Sequence, residues 1–93
     1  MPERAVHVVV SGRVQGVWFR GWTKQQTAAR NLRGWVRNRR DGTVEAVFAG
    51  NPEDIESMLA ACRRGPPAAK VVDLRATPAP LPNDIGFSHL PTV

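Results

Sequence analysis

Between Gly12 and Arg20 the chain reads GRVQGVWFR: two glycines four residues apart, an aromatic pair, and an arginine where a helical pattern begins. The cation sits in an unusual place. The first turn of a helix already carries unpaired N–H groups and the positive end of the helix dipole, so an arginine there is mildly unfavourable unless an anion joins it. A loop held between a strand and a helix can turn successive N–H groups inward as an anion nest. Glycine at 12 and 16 would permit the curl and the close approach, and the planar fork of Arg20 matches phosphate oxygens. The pattern lacks the Gly-Lys-Ser/Thr ending of a P-loop and is not the dinucleotide fingerprint. Taken alone it competes with a plainer reading, in which the glycines shape a βα turn and Arg20 is a surface charge.

A second candidate is Asn38, at the end of Gly34 to Asn38 (GWVRN). Its amide can accept one hydrogen bond and donate another, and so can hold a water; in isolation the favoured reading is an asparagine that starts the turn before Asp41-Gly42. Little else offers chemistry. Cys62 is the single cysteine and falls on the apolar side of a helical pattern, where a buried inert thiol is expected. His7 and His89 are far apart in the chain, which leaves no metal-ligand cluster and no recognisable nucleophile context. Trp18 and Trp22 read as packing residues beside the loop.

The elements that must position these residues follow from periodicity. Val6, Val8 and Val10 share one face of a strand over about 4–11, with His7 on the other. A helix is predicted over about 20–31, with Phe19, Trp22, Ala29 and Leu32 as its buried stripe, Thr23 to Gln26 as its wet side and Asn31 as a left-handed cap. Asp41-Gly42 between two alternating segments signals a hairpin of Trp35 to Asn38 with Thr43 to Ala49, whose Val44, Ala46 and Phe48 share a face. The second helix is punctuated by Asn51 as cap, Pro52 at the first position, Glu53 and Asp54 in the first turn, and Arg63 and Arg64 before Gly65; Ile55, Met58, Leu59 and Cys62 form its apolar side. Lys70 to Ala76 alternates as a fourth strand. Pro78, Pro80 and Pro82 enforce a loop, and Ile85 to Leu90 can add a short fifth strand. This order suits an α+β, ferredoxin-like βαββαβ sandwich with two helices on one face of an antiparallel sheet of four strands.

Ninety-three residues fit one domain, 1–93. No apolar run approaches the roughly 18 residues that cross a bilayer, and the start lacks the order of a signal peptide, so a cytoplasmic protein without membrane contact is expected. The net charge of +5 is uneven: residues 1–40 hold nine Lys or Arg against Glu3 alone, whereas residues 41–93 hold four bases and seven acids. An electropositive half attracts anions, from phosphates to nucleic acid.

Taken together, GRVQGVWFR, then GWVRNRRDGTVEAVFAG, then GPPAAKV resemble the acylphosphatases, over about residues 5–76. The resemblance implies a ferredoxin-like hydrolase that cleaves the carboxyl–phosphate bond of acyl phosphates without cofactor or metal. It places the phosphate on the amides of Gln15, Gly16, Val17, Trp18, Phe19 and Arg20, with Arg20 as side-chain clamp and Asn38 orienting the water. The partners implied are a small acyl phosphate and, as product, inorganic phosphate; a monomer that binds no nucleic acid is expected. Asn31 stands where many members have glycine, and the ending GFSHLPTV lacks the basic or aromatic finish common in the family. The competing reading is an RNA-binding module, favoured by Arg37, Arg39 and Arg40 near Trp35 and disfavoured because the central strands lack an aromatic-rich segment for base stacking, Phe48 being assigned to the core and Tyr being absent. A third is a phosphate-sensing domain that keeps the cradle without turnover.

Overall fold

The computed structural model describes residues 2–93. Its elements are β1 (Arg4–Arg13), α1 (Phe19–Ala29), β2 (Arg33–Asn38), β3 (Val44–Gly50), α2 (Pro52–Arg64), β4 (Lys70–Pro78) and β5 (Phe87–His89). The sheet order is β4-β1-β3-β2-β5. The first four strands pair antiparallel, as expected, but β5 lies parallel to β2, so the five-stranded sheet is mixed. The reason is where the chain re-enters. Pro78 ends β4 beside Val6, and Phe87 starts β5 beside Gly34, at the same end of the sheet but on its opposite edge. The proline-rich connection traverses that end, and β5 then runs alongside β2 towards the other end, where the β1–α1 loop lies.

The core forms where Val6, Val8, Val10, Val36, Val44, Ala46 and Phe48, all on one face of the sheet, meet Ile55, Met58, Leu59 and Cys62 of α2 and Phe19 of α1. On α2 the buried side is the one read from its i, i+3, i+4, i+7 spacing. On α1 it is not. The buried residues there are Phe19, Thr23 and Thr27, while Ala29 is exposed and Trp22 half-buried, edge-on to Phe19. The two threonines can face the core because each hydroxyl donates back to the helix, Thr23 Oγ1 to the Phe19 carbonyl at 2.8 Å and Thr27 Oγ1 to that of Lys24 at 2.9 Å. What remains to pack is a methyl group. The helix ends at Ala29, two residues before the predicted limit, and Asn31 takes the left-handed conformation expected of it, with φ 54°.

The other face of the sheet is open. There Glu45 accepts from Arg37 Nε at 2.7 Å and lies 2.6 Å from His7 Nε2, and the Arg37 guanidinium sits 4.6 Å from the Trp35 ring centre. Burial pushes the Glu45 carboxyl up, but hydrogen bonds from His7 and Arg37 outweigh it and hold the group below its usual 4.5.

Candidate active site

The β1–α1 loop is set by what its ends must do. At Ser11/Gly12 the pairing of β1 with β4 shifts register, and Gly12 adopts φ 116°, where a Cβ would fall 2.3 Å from the Lys70 carbonyl oxygen. Glycine is therefore required at 12 by the neighbouring strand, which corrects the expectation that it curls the loop around an anion. Gly16 differs: φ is 72° and the space beside it is open, so the backbone conformation alone asks for glycine. Val14, between them, is buried, and Val17, after Gly16, packs on the core, so the loop's apolar side chains turn inward.

Gln15 ties this loop to the hairpin. Its Nε2 donates to the Arg39 carbonyl at 2.7 Å and to the Thr43 carbonyl at 2.9 Å. These carbonyls flank the β2–β3 turn, where Arg39 N–H also donates to Thr43 at 2.9 Å. One side chain thus fixes the loop against the strand that ends in Asn38. The other support comes from the C-terminus: Leu90 N–H donates to Val36 at 2.9 Å, Val93 N–H to Asn38 at 3.2 Å, and Arg40 N–H to Val93 at 2.7 Å. The tail lacks a basic or aromatic finish, yet its backbone extends the β5 pairing past Asn38.

α1 begins without a side-chain cap and without an acid in its first turn. Trp18 occupies the N-cap in the left-handed region, φ 65° and ψ 25°, its carbonyl accepting from Trp22 N–H at 3.0 Å. The indole lies against Gly21, where a Cβ would meet Nε1 at 2.2 Å, and the residue is 59% exposed. The sequence reading of Trp18 as a packed residue is therefore corrected: the left-handed turn points the ring along the rim of the loop. The first N–H groups of α1 are left for a partner outside the helix. Arg20 stands among them and takes part in none of the ion pairs formed by the described residues.

Loop, helix start and strand end enclose a cavity of about 260 Å³ lined by Val14, Gln15, Gly16, Trp18, Phe19, Arg20, Gly21, Asn38 and His89. Of the residues singled out from the sequence, Gln15, Gly16, Trp18, Phe19, Arg20 and Asn38 are brought together, while Val17 turns to the core. Asn38 is 9% exposed, and its Oδ1 is buried without a hydrogen-bond partner. His89 was not a sequence candidate. It reaches the cavity because it pairs with Val36, two residues before Asn38 on the same face of β2. His89 is exposed at the mouth of the cavity, and partial desolvation there, with Arg20 and Lys24 beside it, holds its imidazole below the usual 6.5.

The fold is a ferredoxin-like α+β sandwich, with a cavity beside the β1–α1 loop that Arg20 and Asn38 both line. The acylphosphatase family model matches residues 6–89. An acylphosphatase of Rhodospirillum rubrum is 56% identical over 86 residues, covering 92% of this chain and 94% of that protein. The crystal structure of acylphosphatase from Bacillus subtilis superposes with a TM-score of 0.89 at 37% identity, over 92% of this chain and 97% of that one. The structure of an acylphosphatase from Coxiella burnetii gives 0.91 at 33% identity, over 95% and 93%. The chain belongs to the acylphosphatase family.

Proposed function

We propose that this protein hydrolyses the carboxyl–phosphate bond of acyl phosphates, releasing a carboxylate and inorganic phosphate, as a cytoplasmic monomer. The observation that carries the assignment of its site is the unpartnered Oδ1 of Asn38 in the same cavity as Arg20. A buried acceptor left alone is costly. A phosphate dianion has no hydrogen to give it, so the acceptor calls for a group that brings its own, and a water beside a bound phosphate is both such a donor and the reactant a hydrolase needs.

The amides from Gln15 to Phe19, the free first turn of α1 and the Arg20 fork hold the phosphoryl oxygens and offset the charge that develops on them. Asn38 accepts from the water and aims its oxygen at phosphorus. The new P–O bond forms as the bond to the acyl oxygen breaks, and the carboxylate, conjugate to an acid of pKa about 4 to 5, leaves with the electron pair and needs no general acid. The water's proton passes to a phosphate oxygen. Against nucleic acid stands the sheet itself: Phe48 is buried on the core face, and on the open face the Glu45 carboxylate accepts from Arg37, whose guanidinium lies over Trp35.

The test is hydrolysis of benzoyl phosphate in the presence of EDTA, with inorganic phosphate as competitor. Turnover that survives the chelator and is inhibited competitively supports the assignment. Binding of phosphate without turnover would leave a sensing domain instead.

A further inference from the structure

His89 is the feature of the cavity that neither the water-holding amide nor the phosphate clamp explains. It lines the pocket together with Arg20 and Asn38. Its position is fixed by main-chain pairing: β5 runs parallel to β2 with His89 opposite Val36, and the next residue, Leu90, donates to the Val36 carbonyl at 2.9 Å. A histidine so anchored presents one ring to the pocket without a flexible stem.

The charges around that ring are all of one sign. From α1, Arg20 and Lys24 act on it. From β2, the residues on its own face are Gly34, Val36 and Asn38, none of them titratable, while Arg33 and Arg37 alternate to the opposite face. The loop from Val14 to Phe19 carries no charged residue. Among these groups there is no carboxylate to balance an imidazolium. The cation is therefore unwelcome in the empty pocket and becomes favourable once a dianion offsets Arg20.

We propose that His89 is a proton-linked phosphate contact: neutral in the free protein, it takes up a proton as the tetrahedral dianion enters and donates an N–H to it as a second cation beside Arg20. This rests on the reading of the cavity as a phosphate site and adds a dependence on pH to it. The sign follows from linkage. Partial desolvation, Arg20 and Lys24 hold the free imidazole below 6.5, and the bound anion raises it. Between the two values each bound dianion brings a proton with it, so affinity increases as pH falls through that window, by up to tenfold per pH unit for one proton. Above the upper value and below the lower one the dependence vanishes.

His89→Gln keeps an N–H donor of similar reach and removes the titration. Two measurements test the proposal, both on the full chain. In the first, the imidazole Cε1–H resonance of His89, assigned by its loss in H89Q, is titrated with and without saturating sulfate, a tetrahedral dianion throughout pH 5 to 8. The midpoint should rise by about one pH unit or more with the anion, in line with a close unlike charge. In the second, kcat/KM for benzoyl phosphate is compared between wild type and H89Q across the same range. The ratio should grow severalfold from pH 8 to pH 6, through KM rather than kcat. A sulfate-insensitive midpoint, or a ratio flat with pH, overturns the role of His89 while wild-type turnover leaves the hydrolase intact. Failure of the wild type to bind sulfate or phosphate and to turn over benzoyl phosphate would sink both.

Discussion

Replacing Asn38 with alanine separates function from stability more cleanly than any other change in the pocket. The residue is 9% exposed, which for an ordinary buried polar side chain would predict a clear loss of stability on truncation. Here the acceptor that would be deleted has no partner. Leaving a buried acceptor unsatisfied costs about 1–3 kcal/mol, and because this one faces a cavity the low end, about 1 kcal/mol, is recovered by removing it. Truncation also forfeits packing, worth about 0.5–1.5 kcal/mol for the loss of a group or two from a close-packed site. The two nearly cancel, and at roughly 4–8 °C per kcal/mol for a domain of this size the melting temperature should move by less than about 4 °C. Activity has no such compensation. A water no longer aimed at phosphorus should lower kcat by about 10²–10³-fold, comparable to removing one preorganised donor from a reaction centre. Inhibition by inorganic phosphate, held by the amides and Arg20, should hardly change. The checks are a thermal melt and steady-state hydrolysis of benzoyl phosphate. A fall in melting temperature beyond about 8 °C would make Asn38 a structural residue, and a pure KM effect would remove it from water placement.

Arg20→Gln should lower kcat/KM by about 10²–10³-fold, roughly 3 kcal/mol or more of transition-state stabilisation, and weaken phosphate inhibition as well. Its melting temperature should stay within a few degrees, because Arg20 holds no ion pair whose loss would register; wild-type kinetics in this variant would refute the clamp. Cys62, buried and with its thiol pushed up to about 12 chiefly by that burial against the opposing pull of Arg30 and Arg63, should resist a thiol reagent at pH 8 until the chain is unfolded; rapid native labelling would contradict its place in the core. Glu45→Gln should destabilise the protein at pH 7 and lose that penalty in acid. The folded carboxyl is held below 4.5, so its contribution is complete above that value and disappears as pH falls through the lower folded one; denaturation midpoints of the two proteins that run parallel from pH 7 to pH 3 would exclude the effect.

Much of this was legible in the sequence where one residue type has one physical use. Asn51, Pro52 and the acids after them could only begin a helix, and Asn51 Oδ1 accepts from Glu53 N–H at 3.2 Å as that pattern requires. Asp41-Gly42 marked the turn, with Asp41 Oδ1 accepting from Thr43 N–H at 3.0 Å. What periodicity misread was Thr23, and what it passed over was Thr27, because a threonine that satisfies its own hydroxyl counts as apolar for packing and as polar in a pattern. Gly12 was assigned to an anion because its true neighbour, the Lys70 carbonyl, lies 58 residues away in the chain and only pairing brings it close. His89 escaped for the same reason. Nothing local says that a three-residue strand will lie parallel to β2 and in register with Val36.

The two helices put the same electrostatics to opposite ends. α2 meets its own N-terminal donors with Asn51, Glu53 and Asp54 and its C-terminal acceptors with Arg63 and Arg64, so its ends need nothing from outside. At its N-terminus α1 does none of this: a left-handed Trp18 stands at its cap, no acid occupies its first turn, and Arg20 adds charge of the wrong sign for the dipole. Each departure costs stability in the empty protein, on the order of 1 kcal/mol for the missing cap and for the strained backbone. The unpaired N-terminal donors and the Arg20 charge are what a bound anion would offset, whereas at the other end Arg30 Nη1 donates to the Gln26 carbonyl at 3.1 Å. α1 is nevertheless held from below by Phe19, Thr23 and Thr27 against the core and its loop from the side by Gln15. Tertiary packing keeps the end of the helix in place while its donors stay free, which is how a fold this small keeps a charged pocket open without the pocket collapsing on its own residues.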